Sequence, residues 1–200
     1  MGSEPGKRGV QDSKAAPRNR AACLSALLTR RIPRMQPATD QVLGRVASLH
    51  LHPELSGGGM RSCASFELVE AMGIAGESRY FGRKKRSTGE PTVRQVSLIE
   101  REVLAAHAAA LGISQLEPGQ VRSNIETEGV ELMSLIGKQI QIGQALLRVC
   151  EPRTPCAKMD AVQPGLRGRM ENGKQGVLAQ VLRSGEVRQG DLIRPGPEFS

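Results

Sequence analysis

The chain alternates before it does anything else. From Gly44 to Leu51, Val46, Ser48 and His50 fall on one side and Ala47, Leu49 and Leu51 on the other, a strand pattern closed by Pro53 and the Gly57-Gly58-Gly59 loop. A second strand is predicted with Ala64, Phe66 and Leu68 on one face, ending near Gly73. Gln95 to Ile99 reads as a short strand. Glu100 to Leu111 is the clearest helix, with Val103, Leu104, His107 and Leu111 on one face and Gly112 past its end. After Pro118 the chain becomes short strands and tight turns. Val121 to Ile125 is one strand; Gln139 to Ile142 and Ala145 to Val149 form a hairpin across Gly143-Gln144; Gly176 to Arg183, Glu186 to Arg188 and Leu192 to Arg194 follow. Many short strands with one or two helices predict a mainly β fold, a small barrel or a curled antiparallel sheet with helices outside. There is no internal repeat.

Composition sharpens this picture. With 23 Gly and 12 Pro in 200 residues, long bundles and coiled coils are excluded. With no Trp, one Tyr and three Phe, aliphatic side chains must build the core, and the stacking platforms of single-strand nucleic-acid binders are missing. The net charge of +8 is uneven: residues 1–40 hold 8 basic and 3 acidic side chains, the rest 20 and 17. Residues 1–40, with Pro5, Pro17, Pro33 and Pro37 and no sustained period, read as a short disordered basic arm before a single domain over 41–200. Five basic residues between Arg79 and Arg86 form one local patch, either a solvated loop or an anion site. No stretch is apolar enough to span a bilayer. Four cysteines without a CxxC pair predict reduced thiols in the cytoplasm; the Arg-rich arm leaves the mitochondrion as the weaker alternative.

Two segments carry candidate chemistry. In Glu151-Pro152-Arg153-Thr154-Pro155-Cys156-Ala157-Lys158-Met159, two prolines make a rigid loop, and Arg153 and Lys158 bracket a thiol with positive charge that favours the thiolate. Read alone, Cys156 is either such a nucleophile or a small buried residue. In Val121 to Gly129, Arg122 and Asn124 stand two apart on the predicted strand and so share a face, suiting an anionic, hydrogen-bond-rich ligand or equally a solvated face. His50 and His52 invite a zinc reading with Cys150 and Cys156, but no further ligand spacing supports it. His107, on the apolar face of the helix, reads as a satisfied histidine.

The ordered set GIAGESRYFGR (73–83), VRSNIETEG (121–129), IGQALLRV (142–149), EPRTPCAKM (151–159) and GVLAQVLRSGEVRQGD (176–191) resembles the MOSC domain, the module named for the carboxy-terminal part of molybdenum cofactor sulfurase. The resemblance runs from about Gly44 to Arg194 and implies a β-rich barrel with flanking helices. It assigns to Cys156 the essential cysteine that carries sulfur or ligates molybdenum. It implies cofactor-binding roles for Arg122, Asn124, Arg153 and Thr154, a small-hydroxyl position at Thr127, and a basic role for Arg79, with Lys158 beside the thiol. Where the family often reads Gly-Asp-Arg, this chain reads Gly76-Glu77-Ser78-Arg79, one residue longer.

Two functions follow from the resemblance. One is a redox component in which Cys156 ligates the metal of molybdenum cofactor (molybdopterin) and a small oxidised substrate is reduced with electrons from partner proteins. The other is a non-enzymatic carrier of sulfur, as a Cys156 persulfide, or of the cofactor. The 200 residues contain no counterpart of a pyridoxal-phosphate domain, so a persulfide is expected to come from a separate sulfurase. Nucleic acid is not an expected partner.

Overall fold

The computed structural model describes residues 41–55 and 57–197; the expected basic arm over 1–40 and Cys23 lie outside them. The strand elements are β1 (Gly44–Leu51), β2 (Arg61–Cys63), β3 (Ser65–Val69), β4 (Gly73–Ile74), β5 (Val96–Glu100), β6 (Ile125–Glu128), β7 (Gln139–Ile142), β8 (Ala145–Pro152), β9 (Val177–Arg183), β10 (Gly185–Arg188) and β11 (Leu192–Pro195). Neighbours run β11-β7-β8-β9-β5-β6-β1, and β1 pairs back onto β11, closing a seven-stranded barrel; β2 extends β1 outside the ring. Closure removes the free edges that an open sheet would leave. A separate small sheet, β10-β3-β4, covers one side.

Eight of the nine predicted strands lie within a residue or a few of their expected bounds. Among the described residues only β5 and β6 are parallel neighbours, and parallel pairing requires a crossover, here the helix α1 (Arg101–Ala110). That helix packs Leu104, His107 and Ala108 inward. Together with α2 (Lys158–Val162) and α3 (Leu166–Arg169), it buries a second apolar cluster outside the barrel, including Ile99, Leu116, Met159, Leu166 and Met170. The barrel interior is aliphatic, with Val46, Leu49, Leu98, Ile140, Leu147 and Val181 buried and Phe66 the one aromatic of that core. Gly176, at φ +78°, enters β9 so close to β5 that a Cβ would overlap the Leu98 carbonyl, so glycine is required for the two strands to meet. Among the described residues no helix is long and apolar enough to cross a membrane.

One predicted strand fails in a useful way. Val121 to Ile125 is not a strand; β6 starts at Ile125, and Arg122 takes φ +62°, a left-handed conformation uncommon outside glycine. Val121, Ser123, Asn124 and Ile125 are all buried, without the alternation of a half-buried strand, and they serve a turn entering the barrel.

Candidate functional site

The Cys156 segment is built from the end of β8. Pro152, opposite Val177, is the last strand residue, and the Arg153 N–H still donates to the Gly176 carbonyl at 2.9 Å. Thr154 to Ala157 then leave the sheet. The Cys156 carbonyl accepts from the Met159 N–H at 3.0 Å, and Met159, fully buried in the helical cluster, anchors the turn. Cys156 itself is exposed.

Across from it, Arg153 reaches into the entry of β6, donating from Nη2 to the Arg122 carbonyl at 2.9 Å and from Nη1 to the Val121 carbonyl at 3.3 Å. It thereby pins the strained turn. Burial pulls its pKa down to about 10; Tyr80 and Cys156 act to favour its charge, and Arg122 and Arg79 oppose it. A guanidinium destabilised by burial and by other guanidiniums marks a place short of negative charge.

Glu77 organises the third wall. It is 3% exposed, and its carboxylate accepts from the His52 N–H, His52 Nδ1 and Asn124 Nδ2, each at 3.1 Å, and from the Arg79 N–H at 3.1 Å. Burial acts to raise its pKa, but the His52 bonds and the Arg79 amide outweigh it and hold the carboxyl below its ordinary value. Beyond it, His52 meets the Tyr80 ring edge-on at 5.6 Å, and the Arg79 and Arg83 guanidiniums lie 5.3 and 5.6 Å from the centre of that ring.

These walls enclose a cavity of about 700 Å³. Of the residues singled out in the sequence, Cys156, Arg79, Arg122, Asn124, Arg153, Thr154 and Lys158 all line it. Thr127 does not: it sits in the β5–β6 ladder with its hydroxyl donating to the Ile99 carbonyl at 3.3 Å, so its polar group belongs to the barrel wall. Arg122 and Asn124 do reach the same cavity, though through a turn rather than through strand spacing. Their chemistry then diverges. Asn124 is 2% exposed; its Oδ1 accepts from the Ser97 N–H and Oγ, and its Nδ2 donates to the His50 carbonyl and to Glu77. Asn124 is a positioning residue, with no polar valence left for a ligand. Arg122 donates from Nη1 to the Gly58 carbonyl at 3.0 Å, but its buried Nε has no partner. Gln175, also on the cavity wall and 1% exposed, has an unpartnered Oε1. Buried polar atoms are ordinarily satisfied; of the three without a partner among the described residues, these two belong to residues on the cavity wall, where a polar ligand could meet them, and the third, Gln139 Oε1, does not.

Sequence reasoning missed His52, Glu77, Tyr80 and Gln175 as members of this site. The one signal available was the extra residue in Gly76-Glu77-Ser78-Arg79. The zinc reading finds no geometry: both ring nitrogens of His50 meet serine hydroxyls, Ser48 at 2.9 Å and Ser62 at 3.3 Å, and among the described residues no three His, Cys, Asp or Glu side chains converge on a metal position.

A family model for the MOSC domain matches residues 79–194, more than half of the chain. The chain belongs to the MOSC domain family. That family is associated with molybdenum cofactor binding. Among solved structures, this MOSC chain is similar to the YuaD protein of Bacillus subtilis, at 22% identity and a TM-score of 0.63 over 75% of this chain and 93% of that one. It is also similar to YiiM from Escherichia coli, at 20% identity and a TM-score of 0.55 over 78% and 71%, and to YiiM from Geobacillus stearothermophilus, at 17% and 0.54 over 78% and 75%. At such identities the likeness is one of fold. Among curated proteins there is no sequence match.

Proposed function

We propose that this MOSC domain binds molybdenum cofactor in the 700 Å³ cavity, with the Cys156 thiolate on the metal, and acts as a redox component that reduces a small oxidised substrate with electrons from a partner protein. The observation that carries the reading is the meeting of an exposed cysteine with a cation-rich wall in which Arg122 Nε and Gln175 Oε1 are buried without partners. Among the described residues no Asp or Glu lines the cavity; Glu77 touches it only through the lining residues His52, Arg79 and Asn124. A phosphorylated pterin fits this donor set: Arg122 and Arg79 meet its anionic end, Lys158 and Thr154 flank the thiol, and the Gln175 carbonyl oxygen accepts from a ring N–H. A single thiolate does not make a metal site, so a metal there has to bring ligands of its own, as a pterin dithiolene does. When bound, the group supplies a metal that changes oxidation state by two electrons.

The exposure of Cys156 favours a second reading, a persulfide carrier served by a separate sulfurase, because an accessible thiol meets another protein more readily than an enclosed one. Elemental analysis of protein made in a host that synthesises the cofactor separates the two. Stoichiometric molybdenum supports the redox reading, labile sulfane sulfur without metal supports the carrier, and neither contradicts both. Thiol chemistry adds a check. Burial raises the pKa of Cys63 and of Cys150, so at pH near 7 a limiting electrophile is expected to label Cys156 before either. The compartment proposed is the cytoplasm.

A further inference from the structure

The cavity holds a proton-handling group that the ligand-binding reading leaves unused. All three histidines of the chain are among the described residues, and they differ in what their ring nitrogens meet. His50 has both nitrogens on serine hydroxyls. His107 donates from Nε2 to the Lys174 carbonyl at 2.8 Å. His52 alone lines the cavity: its Nδ1 lies 3.1 Å from Glu77 Oε2, and its Nε2 has no partner among the described residues. Because a carboxylate only accepts, Nδ1 carries a proton and Nε2 is the nitrogen left to exchange one. Glu77 is itself held by four hydrogen bonds from three residues, so it fixes both the tautomer and the orientation of the ring.

We infer that His52 Nε2 is the proton donor of this cavity and that Glu77 is its positioning residue. The inference rests on the redox reading above. Reduction of a substrate X–O to X and water consumes two electrons and two protons, and the bond broken is X–O. The electrons come from the electron-transfer protein, one proton passes from His52 Nε2 to the departing oxygen, and the second comes from solvent, which then reprotonates His52. The substrate class is thus a small compound whose oxygen leaves as water, such as an N-oxide or S-oxide. The titratable and charged groups around His52 are Glu77 and Tyr80 in contact with it, and Arg79, Arg83, Arg122 and Arg153 in the shared cavity.

Two measurements on the full chain test this. Diethyl pyrocarbonate at limiting dose, read by mass spectrometry, is expected to label His52 at least about ten-fold faster than His50 or His107, with inorganic phosphate in the cavity slowing it. Equal labelling of the three, or faster labelling of His50, overturns the assignment. In protein loaded with cofactor, His52→Gln is expected to keep wild-type molybdenum while kcat for an N- or S-oxide falls about 100-fold or more and loses its dependence on pH, and Glu77→Gln to shift that pH profile. An unchanged kcat in His52→Gln overturns the proposal. If wild-type protein takes up no molybdenum, the redox reading fails on its own, while the labelling result still decides whether His52 Nε2 is open to the cavity.

Discussion

His50 and His52 stand two residues apart at the end of β1, and each lies beside a buried glutamate. His50 is sealed: its ring sits between Ser48 and Ser62, 3.8 Å from Glu126, whose carboxylate is committed to the Gly119 N–H at 2.7 Å, Ser48 at 3.1 Å and Arg101 at 2.9 Å. His52 is equally buried but faces the cavity with one nitrogen unmatched. The same division separates Asn124 from Arg122, and Cys63 and Cys150 from Cys156. Residue type does not distinguish His50 from His52, or Cys63 and Cys150 from Cys156; the difference lies in whether the side chain's polar atoms are met by protein. Saturated groups hold the barrel; of the three buried side-chain atoms without a partner among the described residues, Arg122 Nε and Gln175 Oε1 belong to residues lining the cavity, and Gln139 Oε1, on β7, does not.

The largest effect that checks this division is on the saturated side. Glu126→Ala removes the acceptor of a backbone amide, a hydroxyl and a guanidinium at once, and is expected to lower stability by about 3–5 kcal/mol, read by chemical denaturation. A loss under about 1 kcal/mol would mean that the sealed cluster is not structural.

A smaller and sharper contrast comes from Arg122 and Asn124. Arg122→Ala is expected to weaken binding of an anionic pterin by about 1.5–3 kcal/mol, measured by calorimetry, with little change in unfolding midpoint. Asn124→Ala is expected to show the converse, a stability loss of about 1–3 kcal/mol from leaving Ser97, Glu77 and the His50 carbonyl unmatched. Equal effects of the two variants on both properties would erase the distinction.

The smallest expected effects are those of pH. Burial lowers the pKa of His50 below its ordinary 6.5, with Glu126 opposing and Arg101 assisting. The folded state therefore binds its proton less readily than the unfolded chain, and stability falls as pH drops below about 6.5. His50→Gln should flatten the curve between pH 7 and 5. Glu77, held below its ordinary 4.5, gives stability that is present above that value and lost as pH falls through its folded pKa, so Glu77→Gln acts lower on the scale. Glu100 runs the other way: burial raises its pKa, and its contribution is lost as pH rises. Comparing each variant with wild type over pH 3 to 7 separates the His50 and Glu77 contributions; a His50→Gln curve parallel to wild type would contradict the sealed assignment.

What the sequence made legible follows from range. Alternation local to one strand located Gly44–Leu51 and Gln139–Ile142 to the residue. It misled at Val121 to Ile125, which is a turn with Ser123, Asn124 and Ile125 all buried, held by Arg153 just past the end of β8. The short helices α2 and α3 were not foreseen: at five and four residues they carry little pattern of their own, and Met159, Leu166 and Met170 are buried in one cluster with Leu104 and Ala108 of α1. The cysteine segment announced itself because its prolines and cations are contiguous. Glu77 could not, because its partners His52 and Asn124 are 25 and 47 residues away in the chain.

The central claim, that Cys156 is the group through which the cavity holds its metal, is tested most directly by metal analysis of wild-type and Cys156→Ser protein made side by side in a host that synthesises molybdenum cofactor. Cys156 is exposed, so one sulfur-to-oxygen change removes little packing, and the variant is expected to match wild type in unfolding midpoint. The account predicts molybdenum near one atom per chain in wild type and close to none in the variant. Equal molybdenum in the two proteins would contradict it.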